Sequence, residues 1–242
     1  MGQWVDLKAA DGVKFPAYVA TPAGKPRGAV VVLQEIFGVN AHIRNVADGY
    51  AQAGYLAVAP ATFHRVKPGV ELGYAPDDMS AGMALKAMVE ALPAPGVLQD
   101  IQAAVDHAAR AGKVGVVGYC WGGLLTWRTA CLLSGVSAAV AYYGGGITTE
   151  AEIARHPKCP VLAHFGEKDH WIPQDGVAAF RQAHREVEVH IYAANHGFNC
   201  DHRGAYTATA AALPPQRTLP SFAKYLARAL PSTALGHPAA WL

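Results

Sequence analysis

The chain has 242 residues, of which 52% are hydrophobic and 16% are charged, and its formal net charge is +2 at pH 7. That length and composition suit one compact α/β domain with a large core. The low charge, without a basic block, gives no reason to expect a nucleic acid or an anionic membrane as a partner. The N-terminus lacks a signal-peptide pattern and no apolar run approaches about 18 residues, so we expect a cytoplasmic protein. In that compartment its four cysteines should be free thiols.

The predicted elements begin with an antiparallel hairpin and continue as alternating strands and helices. Segments 5–7 and 14–20 are predicted to be the hairpin strands, with Asp11 and Gly12 at the turn. The later strands are predicted at 29–33, 56–59, 114–117, 138–142, 161–165 and 187–192, and the helices at 41–53, 97–111, 121–133, 177–185 and 219–230. Such alternation with apolar strands predicts a doubly wound, mostly parallel sheet.

One domain is predicted over residues 1–230. The stretch 62–95 interrupts the alternation, has prolines near both ends and contains one Met- and Ala-rich helix near 81–92. Long insertions in such folds often form lids or pocket walls, and a loop packed on the sheet edge is the alternative. Residues 231–242 are predicted to be a C-terminal tail, for which Trp241 offers an anchor.

The pentapeptide Gly118-Tyr119-Cys120-Trp121-Gly122 follows an apolar strand and precedes a helix. It has the form of a nucleophile elbow, with cysteine where serine is usual. A thiol at a helix N-terminus meets the positive end of the helix dipole and free backbone N–H groups, which favour the thiolate and can hold an oxyanion. For the pentapeptide alone, a small buried cysteine in a glycine-rich turn is the alternative.

An acid and a histidine follow the pentapeptide in chain order. Asp169 comes just after the predicted strand 161–165, and His196 comes just after the predicted strand 187–192. Both therefore lie beyond the C-terminal ends of strands, at the edge where open parallel sheets build their sites. The order nucleophile, acid, histidine is that of the α/β-hydrolases, so we predict a catalytic triad with Cys120 as the nucleophile.

A further motif ends the first long strand. Residues 34–40 (QEIFGVN) place an acid, an aromatic residue and a glycine before a helix that Asn40 can cap. Together with the motifs at 118–123, 142–144, 166–170 and 195–198, this segment resembles the dienelactone hydrolase family, and the match is collinear over nearly the whole chain. The resemblance implies an α/β-hydrolase fold and a carboxymethylenebutenolidase-like activity on carboxylic esters.

The resemblance also implies a mechanism. Cys120 attacks the carbonyl of a lactone or activated ester to form a thioester, and His196, oriented by Asp169, activates the water that hydrolyses it. The backbone N–H groups of Ile36 and Trp121 are predicted to form the oxyanion hole. Because a thiolate leaves more readily than an ordinary alkoxide, enol esters, lactones of dienols and thioesters fit this chemistry and ordinary amides do not.

Glu35 is the family's additional acid beside the nucleophile. By resemblance it takes the thiol proton when substrate rearranges the site, and a surface carboxylate at the start of a loop is the alternative. We expect no cofactor and no metal. The expected partner is a small-molecule ester or lactone, bound by a monomer or a homodimer.

Four residues are predicted to contact substrate. Phe37, Tyr74 and Tyr142 either line the pocket or belong to the core, and Cys200 lies near the expected pocket, four residues after the triad histidine. In family members that take dienelactone, an arginine at that last position and another in the insertion bind the substrate carboxylate.

Neither of those arginines is present. Position 200 is cysteine, and residues 77–92 contain no arginine. We therefore expect a pocket without the guanidinium fork that a carboxylate prefers. Such a pocket should favour neutral, partly apolar esters or lactones, unless Arg65, Lys86 or Arg203 reaches it.

Other functions stay open at this point. A thioesterase or general carboxylesterase would use the same triad. A redox-responsive binding protein would oxidise an exposed Cys120 instead of turning substrate over. A metal-dependent hydrolase would use His196, Cys200 and His202, whose residue types bind zinc but whose spacing matches no usual ligand pattern.

Overall fold

The computed structural model of the protein describes residues 2–204, 206 and 208–227. Its strands in chain order are β1 (Gln3–Lys8), β2 (Lys14–Ala20), β3 (Ala29–Leu33), β4 (Leu56–Pro60), β5 (Val114–Tyr119), β6 (Val136–Tyr142), β7 (Val161–Gly166) and β8 (Glu188–Tyr192). They form one sheet in the order β1-β2-β4-β3-β5-β6-β7-β8. β2 is antiparallel to both β1 and β4, and the remaining pairings are parallel. The predicted fold class, a mostly parallel sheet with an antiparallel N-terminal pair, is confirmed.

Helices pack on both faces of this sheet. They are α1 (Ala41–Gln52), α2 (Pro76–Glu90), α3 (Leu98–Ala108), α4 (Trp121–Leu132), α5 (Glu150–Ile153), α6 (Gln174–Ala183) and α7 (Ala208–Leu226). α1 meets α7 through the rings of Tyr50 and Phe222, whereas α3 meets α4, and β5 contacts both α4 and α7. The strands therefore lie between two helical layers, as a doubly wound fold requires.

Three helices begin earlier than the sequence predicted, and one of them, α6, begins at Gln174 rather than at 177. α2 begins at Pro76 rather than near residue 81, because proline suits the first turn and the Asp78 carboxylate accepts the Ala75 N–H at 3.1 Å. The first turn of α2 contains Asp77 and Asp78, so the spacing of apolar residues in the sequence does not indicate that the helix begins there. α7 begins at Ala208 rather than at 219 and continues through three prolines, which sequence alone would take as helix breaks.

The insertion 62–95 contains α2, which packs over the end of β3. Gly82 makes this close contact, since a Cβ there would overlap the Ile36 carbonyl oxygen. The single-domain boundary at 1–230 stays a prediction, and the tail 231–242 with Trp241 lies outside the described residues.

The centre of the sheet is buried on both sides. Every residue of β3 and β5 is buried, which explains why these strands are continuously apolar rather than alternating. Because the parallel strands run in one direction, the loops that follow β3, β5, β7 and β8 meet at one edge of the sheet. Among the described residues, no helix is both long enough and apolar enough to cross a membrane.

A buried ion pair connects the loop after β4 to α3. Arg65 donates to both carboxylate oxygens of Asp100 at 2.8 and 2.6 Å, and the Asp100 side chain is 0% exposed. The same guanidinium binds Asp11 in the hairpin turn. Burial raises the pKa of Asp100, and Arg65 opposes that shift. The Arg65 guanidinium is thus occupied by Asp100 and Asp11, and Arg65 does not line the cavity beside Cys120.

Replacing Arg65 with Met should lower the free energy of unfolding by about 3 to 5 kcal/mol, since Asp100 then stays buried without its partner. Arg44→Met is the matched control. Arg44 pairs with Glu71, whose side chain is 49% exposed, so the control should lose no more than about 1 kcal/mol. Urea unfolding of both variants measures the difference. Equal losses would show that the buried pair does not hold this loop.

Candidate active site

Cys120 has a strained backbone conformation between β5 and α4. Its φ and ψ angles are 55° and −118°, a region that side chains rarely adopt. The turn can be this tight because glycines flank it. A Cβ on Gly118 would overlap the Gly122 carbonyl, and a Cβ on Gly122 would overlap two carbonyls at the end of β3. The thiol is therefore held at the N-terminus of α4, where it lines a cavity.

The predicted acid and base are hydrogen-bonded to each other. Nδ1 of His196, in the loop after β8, lies 2.7 Å from Oδ2 of Asp169, in the loop after β7. The Asp169 side chain is 0% exposed, and its other oxygen accepts the Trp171 N–H at 2.9 Å. Because a carboxylate only accepts, Nδ1 carries the proton, and Nε2 is the nitrogen left for Cys120.

His196 is strongly basic in this setting. Burial lowers its pKa, but the thiolate charge of Cys120 and the hydrogen bonds with Asp169 and Cys120 outweigh burial and raise the pKa to about 10. At neutral pH the histidine is therefore an imidazolium, with a proton on Nε2 that it can donate.

Cys120 and His196 line the same cavity. Its walls are mainly apolar and are formed by Ile36, Phe37, Met79, Met83, Trp121 and Trp171. The Trp171 side chain is 67% exposed, so it lies at the mouth. The two methionines come from α2, which therefore forms one wall.

Two backbone donors are available beside the nucleophile. Ile36 follows β3 and Trp121 is the first residue of α4, and both line the cavity. Within the described ranges, neither backbone N–H has a backbone acceptor. A carbonyl oxygen placed over Cys120 can therefore receive both hydrogen bonds as its charge develops. The Trp121 ring itself belongs to the wall, since its Nε1–H donates to Glu90 at 2.7 Å.

Glu35 is buried behind Arg203 rather than exposed at the start of a loop. Nη1 of Arg203 donates to Oε1 of Glu35 at 3.2 Å, and the Glu35 side chain is 1% exposed. Oε2 has no hydrogen-bond partner among the described residues. A Cβ on Gly197 would overlap the guanidinium, so the glycine after His196 makes room for it. Arg203 in turn lines the cavity.

Of the four residues predicted to contact substrate, one lines the cavity and three do not. Phe37 lines the cavity, and Tyr74 packs behind it with ring centroids 4.6 Å apart. Cys200 is 0% exposed and lies outside the lining, and burial, followed by the charge of Glu35, raises its pKa to about 11. Tyr142 also lies outside the cavity.

Tyr143, rather than Tyr142, contacts the catalytic residues. The Tyr142 hydroxyl forms a buried hydrogen bond with Thr218 at 2.7 Å, whereas the Tyr143 ring lies edge-on to His196 at 5.2 Å. The Tyr143 hydroxyl is buried without a partner among the described residues. Tyr142 is the last residue of β6, whereas Tyr143 lies just past the strand with a φ of 37°, outside the extended region. The Tyr-Tyr-Gly motif signals this site, but it does not say which ring enters it.

Two of the three cations that the sequence left open for this pocket line the cavity, while the expected preference for neutral substrates stays a prediction. Arg203 and Lys86 are both part of the lining. Arg203 already binds Glu35, whereas Lys86 forms no hydrogen bond or ion pair with the described residues. Sequence spacing could not locate Arg203, because the loop after His196 folds it back over the site.

The predicted alternative metal set does not assemble. Among the described residues, His196, Cys200 and His202 do not converge as a group of ligand atoms. His196 instead bonds Asp169.

Comparison with known proteins gives a consistent identification. The profile of the Dienelactone hydrolase family matches residues 15–226. The chain is 34% identical over 223 residues to the carboxymethylenebutenolidase of Pseudomonas putida, covering 89% of this chain and 93% of that protein. It is 36% identical over 233 residues to a candidate carboxymethylenebutenolidase of Synechocystis, covering 86% of this chain and 93% of that relative.

A solved structure extends the comparison to three dimensions. The crystal structure of a candidate dienelactone hydrolase from Klebsiella pneumoniae superposes with a TM-score of 0.79 at 34% identity, covering 93% of this chain and 99% of that one. The residues matched by the family profile, 15–226, include the strands that precede Cys120, Asp169 and His196. The chain therefore belongs to the dienelactone hydrolase family and is a hydrolase of esters or lactones built on the α/β-hydrolase fold.

Proposed function

We propose that the protein hydrolyses lactones or activated esters through a thioester on Cys120. The observation that carries this proposal is the convergence of a strained cysteine and a hydrogen-bonded histidine–aspartate pair on one cavity. Relatives named carboxymethylenebutenolidase support the same substrate class.

The first half of the reaction uses the ion pair of Cys120 and His196. The thiolate attacks the substrate carbonyl, and the N–H groups of Ile36 and Trp121 hold the oxyanion. The intermediate collapses as the carbon–oxygen bond breaks, and the leaving oxygen takes the proton of the imidazolium. A thioester and a neutral His196 remain.

The second half depends on the fall in the pKa of His196. Once sulfur is acylated, the thiolate charge that raised this pKa is gone, while burial still lowers it. The neutral imidazole, oriented by Asp169, then takes a proton from water, and the hydroxide attacks the thioester. Collapse expels the thiolate and restores the ion pair, and the acid product loses its proton to solvent.

The use of a cysteine nucleophile also limits the range of substrates. A tetrahedral intermediate on Cys120 expels sulfur more readily than an ordinary alkoxide, so an enol or lactone oxygen is the leaving group that carries the reaction forward. Thioesters also meet this condition. A panel of enol lactones, aryl esters and thioesters separates a lactonase from a thioesterase or general carboxylesterase on the same triad.

Arg203 connects substrate binding to Glu35. The guanidinium lines the cavity and holds Oε1 of Glu35, and both Glu35 and Cys120 raise its pKa against the effect of burial. A substrate carboxylate that engages Arg203 competes with Glu35 for the same donors. The released carboxylate is then free to take the proton of any Cys120 still in the thiol form.

Alkylation should identify the nucleophile. One equivalent of iodoacetamide should modify Cys120 first, with a parallel loss of esterase activity, because His196 stabilises its thiolate. Cys131 and Cys159 are internal controls, since burial raises their pKa values to about 12 and about 11. Peptide mass spectrometry measures the order of labelling. Loss of activity on labelling of Cys131 or Cys159, with Cys120 intact, would overturn the proposal.

The pKa of His196 should depend on the sulfur of Cys120. In Cys120→Ala the thiolate charge is absent while burial remains, so the pKa should fall by about one unit or more. Histidine NMR titration of wild type and variant measures the change, and the signal of the exposed His156 should stay constant in both. An unchanged titration of His196 would mean that no thiolate lies beside it.

Lys86 should favour substrates that carry a carboxylate. Lys86→Met should lower kcat/KM for a carboxylated lactone about tenfold, equivalent to about 1.4 kcal/mol. An uncharged lactone of similar size should change less than about threefold, since Met keeps the apolar stem. Steady-state kinetics on the two lactones gives the ratio. Equal losses on both would assign Lys86 a role in packing only.

A further inference from the structure

A second group of reactive side chains lies outside the cavity lining. Glu35, His42 and Cys200 each offer a ligand atom, and the three atoms lie within 4.8 Å of one another. All three residues are buried, with exposures of 1%, 4% and 0%. They come from the loop after β3, the start of α1 and the loop after His196.

His42 presents a free lone pair to this group. Its Nδ1 lies 3.2 Å from Oδ1 of Asp201. Because a carboxylate only accepts, Nδ1 carries the ring proton and Nε2 is left with a lone pair. Nε2 is buried and has no hydrogen-bond partner in the part of the chain that the structure describes.

Glu35 presents a second unpaired atom. Arg203 occupies Oε1, while the buried Oε2 has no partner among the described residues. A buried acceptor without a partner is costly and rare in folded proteins. Glu35 and His42 each carry such an acceptor, and ligand atoms of the two side chains lie within 4.8 Å of each other. A bridging proton donor or a cation meets that need.

Cys200 decides which partner fits. Its buried sulfur is the third ligand atom of the group. A metal binds such a sulfur as the thiolate, because the thiol proton leaves when the metal–sulfur bond forms. Thiolate and imidazole ligands select borderline metals such as zinc over magnesium or calcium.

We propose that Glu35, His42 and Cys200 form a binding site for a zinc-class divalent transition metal. A carboxylate oxygen, an imidazole nitrogen and a thiolate sulfur are the usual zinc ligands, and three of them leave a fourth position for water. Tetrahedral coordination requires ligand atoms about 3.3 to 3.6 Å apart, which side chains already within 4.8 Å of one another can reach by small rotations. The two anions balance the metal charge, and the Cys200 thiol releases its proton to solvent as the metal–sulfur bond forms.

The surroundings also suit a metal. A ligating histidine commonly donates its other N–H to a carboxylate, which is the arrangement of His42 and Asp201. Asp201 and His202 are exposed, with side-chain exposures of 65% and 43%, and with His42 they form a second group of ligand atoms within 4.8 Å. An ion arriving from solvent can bind this exposed outer group before it reaches the buried site.

Cobalt(II) binding to the purified full chain tests the site without any substrate. We expect one equivalent of Co²⁺ to produce a thiolate-to-cobalt charge-transfer band in the near ultraviolet, and zinc to abolish the band by displacement. Cys200→Ser and His42→Gln should lose the band. Cys120→Ser is the matched control and should keep it, because the catalytic thiol is not a ligand of this site.

A second measurement guards against misfolded variants. Zinc should raise the Tm of wild type and of Cys120→Ser but leave that of Cys200→Ser unchanged. Asp201→Ala removes only the positioning carboxylate and should weaken cobalt affinity about 10- to 100-fold. No band in wild type, or a band lost in Cys120→Ser and kept in Cys200→Ser, would overturn the proposal. None of these outcomes depends on whether the protein hydrolyses lactones.

Discussion

The close approach of α4 to the end of β3, at Gly122, is the constraint on which the rest of the site depends. A side chain there would overlap two carbonyls of the neighbouring strand end, so only glycine lets the helix begin against the strand. This contact places Cys120 in its strained conformation and brings the free N–H groups of Ile36 and Trp121 beside it. The strain is sustained because β5, just before it, is buried on both faces between parallel neighbours.

Charge in the site is arranged in pairs, and the proposed reaction uses the pairs in turn. The imidazolium of His196 is hydrogen-bonded to the carboxylate of Asp169 and lies near Cys120, and Arg203 pairs with Glu35. Lys86 is the cation of the lining without such a partner in the described part of the chain. A carboxylate that enters the cavity therefore meets one free cation, Lys86. Arg203 and His196 already have the carboxylates of Glu35 and Asp169 as partners.

Glu35 belongs to two arrangements at once. One oxygen binds Arg203 at the cavity, and the other lies unpaired near His42 and Cys200. If the proposed hydrolysis uses Glu35 as a proton acceptor, a metal on its second oxygen lowers its basicity, and metal occupancy then affects the nucleophile. A side chain with one occupied and one free buried oxygen is suited to such a shared role.

The sequence by itself determined the order of strands and helices, the elbow around Cys120 and the positions of Asp169 and His196. These features depend on local rules: a turn too tight for a Cβ, the apolar runs of buried strands, and the common edge at which parallel strands end. Only the tertiary structure decided which side chains surround them. Arg203 reaches Glu35 across 168 positions and His42 reaches Asp201 across 159, so no spacing in the sequence reveals either contact. The choice of Tyr143 over Tyr142 depends on the backbone just past the end of β6, where Tyr143 has a φ of 37° that an extended strand would not predict.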